Sequence, residues 1–337
     1  PGLVTMPTGY AYNFTVQRQL SNKISVSGGY VGNSGRHMIL GTDESWNINQ
    51  QFFIPGAPSA VQNTAYPYDG VLGPRYDYGW TQGVNDFCNC SNNQYNSFQA
   101  LFTVKAASGY TLNGNYTYQV VKGDGWGGNE QYTFLYDRLL GYGNNPNMPH
   151  NQVVLAQNYD IPFGRGRRYG ANMNRFVDAV LGGWNISGIT TYYSGFPFMP
   201  TIENYGSGSQ PYTGPNNRPD VGSGSPYPST QNRNQWVLGL SSGAYALPAS
   251  NTFGNYPINT LIGPRFINQD ASLMKQFAIT ERYRFTLRVD TTNTFNHTNL
   301  NNPNSDIQSA SVGQITSTAL NGSYNMRRIQ YSGTITW

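Results

Sequence analysis

Charge is scarce in this sequence: Asp, Glu, Lys and Arg make up 11% of its 337 residues, less than half the share in an ordinary soluble domain. Long apolar runs are missing too. None approaches the roughly 18 residues that a membrane-crossing helix needs, so that route across a bilayer is excluded. Cysteine is limited to Cys88 and Cys90, in Phe-Cys-Asn-Cys-Ser, too few ligands for a structural zinc site. The spacing leaves two readings open, a strained loop disulfide in an oxidising compartment or thiols that are free or paired elsewhere. Lys and Arg are scattered and the net charge is only +4, so nothing points to nucleic acid. The chain opens at Pro1 with no initiator methionine and no basic leader, so more sequence is expected upstream.

What is present is aromatic and flexible. Phe, Trp and Tyr reach 14%, with 26 Tyr, beside 39 Gly. The mean hydropathy is nevertheless polar, −0.51. Strands that are greasy on one face and wet on the other reconcile these values. A wall with lipid outside and water inside has that composition.

Nine segments alternate with period two. In the last, Ile329, Tyr331, Gly333, Ile335 and Trp337 alternate with Arg328, Gln330, Ser332, Thr334 and Thr336. Before it, Tyr283, Phe285, Leu287 and Val289 oppose Arg282, Arg284, Thr286, Arg288 and Asp290. Tyr110 to Val120 and Phe98 to Val104 follow the same rule, with Leu101 the one exception. Weaker segments cover roughly 10–20, 23–33, 150–161, 184–195 and 266–278. Most are at least as long as the 9–11 residues that a tilted strand needs to cross a bilayer.

The links alternate as well. Short turns near 20–23, 107–109 and 280–281 separate long links at 34–94, 123–149, 196–265 and 297–325, with a medium link at 162–183. Up-and-down outer-membrane barrels place tight turns at the periplasmic end and long loops outside. The long links are rich in Gly, Asn, Pro and Ser, as in Tyr205–Tyr212 and Gly222–Pro228. They read either as low-complexity linkers or, given their Tyr and Trp, as ordered loops packed on one another. The medium link carries Phe176, Val177, Val180 and Leu181 at helical spacing before Gly182 and Gly183, which predicts a short periplasmic helix.

Several motifs in order resemble a known family. Tyr159-Asp-Ile-Pro-Phe-Gly-Arg-Gly-Arg-Arg168, Leu181-Gly-Gly-Trp-Asn-Ile-Ser-Gly-Ile-Thr190 and Tyr193-Ser-Gly-Phe-Pro-Phe198 carry the likeness. Tyr95-Asn-Ser-Phe-Gln99, Arg288–His297 and Gly313–Thr318 extend it. Together they resemble the C-terminal barrel of Oar-like TonB-dependent receptors. That resemblance implies an all-β, antiparallel up-and-down transmembrane barrel of 22 strands, of which residues 1–337 supply about nine C-terminal ones. It also implies a plug and an N-terminal domain upstream, coupling to the TonB complex through that portion, and residence in the outer membrane of a Gram-negative bacterium. The expected partners are the N-terminal part of the same gene product, outer-membrane lipid and the barrel-assembly machinery.

No catalytic constellation is visible, and the expected role is transport or binding without a cofactor rather than catalysis. His37, His150 and His297 read as strand-end residues more readily than as metal ligands. Gly32-Asn-Ser-Gly35 and Gly164-Arg-Gly-Arg167 lack the full spacing of a phosphate loop. Arg282, Arg284, Arg288 and Asp290 are expected to face the lumen, with Arg327 and Arg328 nearby, either docking a plug or lining a path for an anionic ligand. Tyr331, Ile335 and the terminal Trp337 resemble the C-terminal signal for barrel assembly and would sit in an interfacial girdle. Two other roles stay in view: a structural or adhesive surface anchor, and a soluble β-sandwich or propeller.

Overall fold

A strand with apolar side chains on one face and hydrogen-bonding ones on the other can pair edge to edge indefinitely, provided each neighbour keeps the same register of faces. The computed structural model describes residues 5–40, 88–106, 109–124, 141–202, 218–249, 254–280, 282–319 and 326–337. Nine long strands form one sheet: β1 (Thr8–Ser21), β2 (Ile24–Leu40), β3 (Cys88–Lys105), β4 (Tyr110–Gly123), β6 (Asn151–Asp160), β7 (Trp184–Tyr193), β12 (Phe266–Ala278), β13 (Arg284–Thr292) and β14 (Arg328–Thr336). Their order in space is their order in sequence, and every long pair is antiparallel. Each of the nine alternating sequence segments overlaps one of these strands, several running one or two residues past its ends.

The remaining strands are two residues long. β5 (Gly143–Asn144) pairs with the end of β4. β8 (Pro197–Phe198) pairs with β11 (Leu261–Ile262), and β9 (Asp220–Val221) with β10 (Tyr245–Ala246). One helix, α1 (Arg175–Leu181), lies in the link between β6 and β7, as its apolar spacing predicts. The Asn174 side chain caps it by accepting from the Phe176 N–H at 2.7 Å, satisfying one of the orphan donors of the first turn.

Register carries one face unbroken across the sheet. Phe14 pairs with Tyr30, Tyr30 with Phe98, and Phe98 with Tyr118. Further along, Tyr159 pairs with Ile186, Ile186 with Leu273, Leu273 with Val289 and Val289 with Tyr331. Glycine on this face makes room for rings. A Cβ at Gly32 would lie 2.1 Å from the Tyr12 ring, and one at Gly114 the same distance from the Phe102 ring. The described chain leaves most of this face open, for Phe14 is 71% exposed and Trp337 79%. A soluble sandwich would bury these rings in its interior. Here they form an outward belt.

Short turns gather at one end. Thr280 Oγ1 accepts from the N–H groups of Arg282 and Tyr283 at 3.3 and 3.0 Å and closes the β12–β13 hairpin. Gly109, at φ 81°, takes the left-handed conformation that the β3–β4 turn requires. One sequence expectation changes. β2 and β3 run to Leu40 and from Cys88, so the link between them is shorter than 34–94, because polar Asn and Ser residues there still pair as strand. Gly32–Gly35 is therefore strand and no phosphate-binding loop. His37 sits where the register shifts between Gly35 and Met38, at φ 55°.

Leu287 lies on the apolar face and its neighbour Thr286 on the polar one. Leu287→Arg is expected to lower folding yield into lipid vesicles by the equivalent of about 2–4 kcal/mol, and Thr286→Arg by far less. Equal yields, scored by the heat-dependent gel shift of folded barrels, would contradict the lipid assignment.

Candidate functional site

The polar face of the sheet carries hydrogen bonds between side chains of neighbouring strands. Asn185 Nδ2 donates to Asp160 Oδ1 at 2.7 Å and to Asn158 Oδ1 at 3.0 Å, linking β7 to β6. Asp270 Oδ1 accepts from Asn268 Nδ2 and from the Asn293 N–H, both at 2.9 Å. On β13, Arg288 Nε meets Asp290 Oδ1 at 2.8 Å. This is the one ion pair among the described residues, and it is half exposed to the open side of the sheet, so its stabilisation is small. Arg284 shares that face, as does Arg328, which pairs in register with Thr292. Arg282 does not join them, because it lies in the turn before β13 begins. Arg327 is held outside the strand, its N–H donating to Asn296 Oδ1 at 3.1 Å. Arg284, Arg288 and Arg328 are exposed on this side, and Arg288 has its acidic partner, Asp290, on its own strand.

Cys88 and Cys90 open β3 rather than lying in a loop. Their side chains lie outside the described residues, and so does the Tyr205–Tyr212 segment. Tyr331 and Ile335 stand on the apolar face with Trp337 beyond the strand end. The histidines stay apart: His150 Nδ1 lies 2.9 Å from the Gln119 carbonyl oxygen, and His297 Nδ1 lies 3.2 Å from Asn299 Oδ1. No three potential metal ligands come together among the described residues.

The largest apolar core lies beyond the wall, at the long-loop end. Phe198, Ile202, Val237, Ala244, Tyr245, Tyr256, Leu261 and Ile307 pack together, with Tyr227, Trp236 and Leu240 against them. Two links separated in sequence by the β12–β13 hairpin build it. The Ile307 N–H donates to the Thr201 carbonyl at 3.0 Å, and the Ile315 N–H to that of Arg233 at 2.9 Å. Trp236 Nε1 donates to the Ile262 carbonyl at 2.9 Å, while the Tyr227 hydroxyl accepts from the Ile262 N–H at 2.8 Å. Asn299, fully buried, accepts from the Ile267 N–H at 2.9 Å and ties this unit to the start of β12. Gly222–Pro228 is therefore ordered loop, not linker.

Burial sets the ionisation of this unit. It raises the Tyr227, Tyr245 and Tyr256 phenols above their usual value, most for Tyr245, whose neighbours Tyr256 and Tyr227 add to the effect. It also lowers Arg218, whose guanidinium donates to the Tyr256 carbonyl at 3.0 Å. The Tyr245 hydroxyl is buried with no hydrogen-bond partner.

Sequence reasoning missed Lys275. Register places it on the apolar face opposite Trp184, between Leu273 and Phe277. Its ammonium lies 4.8 Å from the Trp184 ring centre and 5.0 Å from that of Phe277. It donates to the carbonyls of Val180 and Gly182 at the end of α1, a helix with no basic residue in its own last turn. A charge interrupting an apolar face was the available signal.

The family described as outer membrane beta barrel domain matches residues 3–330. The chain belongs to this family. It resides in the bacterial outer membrane, where the belt meets lipid and the short turns lie at the periplasmic end. Among curated proteins there is no match. Among solved structures, the outer membrane transporter YddB from Escherichia coli aligns over 99% of this chain and 33% of its own, at 9% identity and a TM-score of 0.49. A chain in the FpvAI–pyocin S2 complex aligns over 99% of this chain and 28% of its own, at 11% identity and a TM-score of 0.41. The barrel segment thus spans about a third of the length of these solved chains.

A phenol whose pKa is higher folded than unfolded contributes stability that is present below pH about 10 and lost as pH rises through the folded value. Alkaline titration is therefore expected to loosen the loop unit, read by near-ultraviolet circular dichroism, before the wall. Tyr245→Phe is expected to shift that loss to higher pH and to stabilise the unit by about 1 kcal/mol at neutral pH, since it removes an unpaired buried hydroxyl.

Proposed function

We propose that this chain is the C-terminal wall of a TonB-dependent outer-membrane receptor of the Oar-like kind, which captures a substrate with its loop unit and admits it past a plug. The observation that carries the reading is the sheet itself. It is apolar on one face and polar on the other, and both β1 and β14 end it with edges that no other strand among the described residues pairs. Unpaired backbone groups are not tolerated in hydrocarbon, so further strands must close the wall. A polar face carrying Arg284, Arg288 and Asp290 suits contact with a hydrated plug. Its role is binding and gating, with no bond chemistry. Tyr331, Ile335 and Trp337 would serve recognition by the barrel-assembly machinery.

A second reading rests on the loop unit. A surface platform with its own core also suits an adhesive or structural anchor, with the wall as its membrane foot. Cross-linking separates the two. In the complete protein with Cys88→Ser and Cys90→Ser, single cysteines at Arg288 and Thr334 are expected to cross-link to the portion upstream of residue 1, and one at Leu287 is not. Failure at both polar-face positions, with the barrel folded, would remove the plug and favour the anchor.

A further inference from the structure

α1 lies on the lipid side of the wall, and nothing in the described chain covers it. Its side is fixed by the two residues that hold it. Trp184 and Lys275 are register partners on the apolar face. Trp184 Nε1 donates to the Val180 carbonyl at 3.0 Å, and Lys275 to the same carbonyl at 3.1 Å and to that of Gly182. The last turn of the helix is thus pinned against the outside of the barrel. Phe277, on which the Lys275 ammonium also rests, stacks with Phe285 at 5.9 Å between ring centres. Trp184, Phe277 and Phe285 thus lie beside the end of the helix on the same face.

The helix buries no side chain. Phe176 is 83% exposed and Val180 65%, with Val177 and Leu181 also open. The link and the helix together hold four arginines, Arg165, Arg167, Arg168 and Arg175, against one acid within residues 161–183, Asp178. All four arginines are exposed. Asp178 is already engaged, since its Oδ1 accepts from the Arg165 N–H at 2.7 Å and holds the turn to the helix. The Arg168 guanidinium stacks over the Tyr169 ring at 5.4 Å, as guanidinium groups do at amphipathic surfaces.

Apolar side chains level with the edge of a hydrocarbon belt, and cations immediately beside them, match one surface: the headgroup boundary of a bilayer. We infer that α1 and the Arg165–Arg168 turn form an inner-leaflet anchor that selects anionic phospholipid headgroups. Phe176, Val180 and Leu181 enter the acyl boundary while Arg167, Arg168 and Arg175 bind phosphate. The occupant is lipid because the exposed face continues the lipid-facing belt and because the charge is complementary to an anionic leaflet. It holds whether the barrel transports or anchors.

The test uses the complete protein in phosphatidylethanolamine bilayers with spin-labelled phosphatidylglycerol or phosphatidylethanolamine as probes. The wild type is expected to favour the phosphatidylglycerol probe by about threefold or more, and the combined Arg165→Gln, Arg167→Gln, Arg168→Gln and Arg175→Gln variant to lose that preference. No preference in the wild type, or an undiminished one in the variant, overturns the inference. So does loss of the preference on adding inorganic phosphate, which would mark a free-anion site. A second arm does not depend on the arginines. A fluorophore on Phe176→Cys, in the Cys88→Ser and Cys90→Ser background, is expected to be quenched by lipid brominated in the acyl chain. Quenching by aqueous iodide instead, or shielding from both quenchers by protein, overturns the placement.

Discussion

Pairing of backbone N–H and C=O groups between neighbouring strands, in a place where water cannot substitute, is the constraint from which the rest of this structure follows. It demands long strands, consecutive antiparallel neighbours and a register that never slips by one residue, because a single slip would exchange the faces. The sheet meets each demand from β1 to β14, and its bulges near Ser21 and His37 fall at strand ends. Side chains then only need to agree with the side on which they emerge. Low charge, abundant tyrosine and polar mean hydropathy are the compositional trace of that division.

The wall has no interior of its own. Its apolar residues are turned to the bilayer, so the tightly packed core of this chain is assembled elsewhere, among loops at the far end. The two regions rest on different physics. The wall is held by its ladder and by lipid. The loop unit is held by apolar burial and by side chains such as Asn299, Trp236 and Arg218 satisfying backbone groups that no regular strand can pair.

Much of the wall was legible in the sequence. Period-two alternation marked segments such as Tyr110–Val120 and Ile329–Trp337, and the alternation of short and long links ordered them into hairpins. The stripe at Phe176, Val177, Val180 and Leu181 located α1. Other features left no periodic trace. The extensions of β2 to Leu40 and β3 back to Cys88 are interspersed with Gly, Asn, Ser and His, which break the alternation and read as loop. The two-residue strands β8 to β11 are too short for any pattern. The loop core joins Ile202 to Ile307 across more than a hundred residues, a proximity that spacing along the chain cannot reveal. Lys275 was visible as an interruption, yet its partner is a carbonyl end that exists only once α1 has folded against the wall.

Asn299 and the contacts from Thr201 to Ile307 have a mechanical consequence. The links before β12 and after β13 are fastened to each other above the hairpin that joins them. They therefore form the crossbar of a closed staple whose legs are β12 and β13. Load applied to the crossbar from outside the cell is shared by both legs together, so this surface responds as a single block coupled to two adjacent staves and not as separate flapping arms.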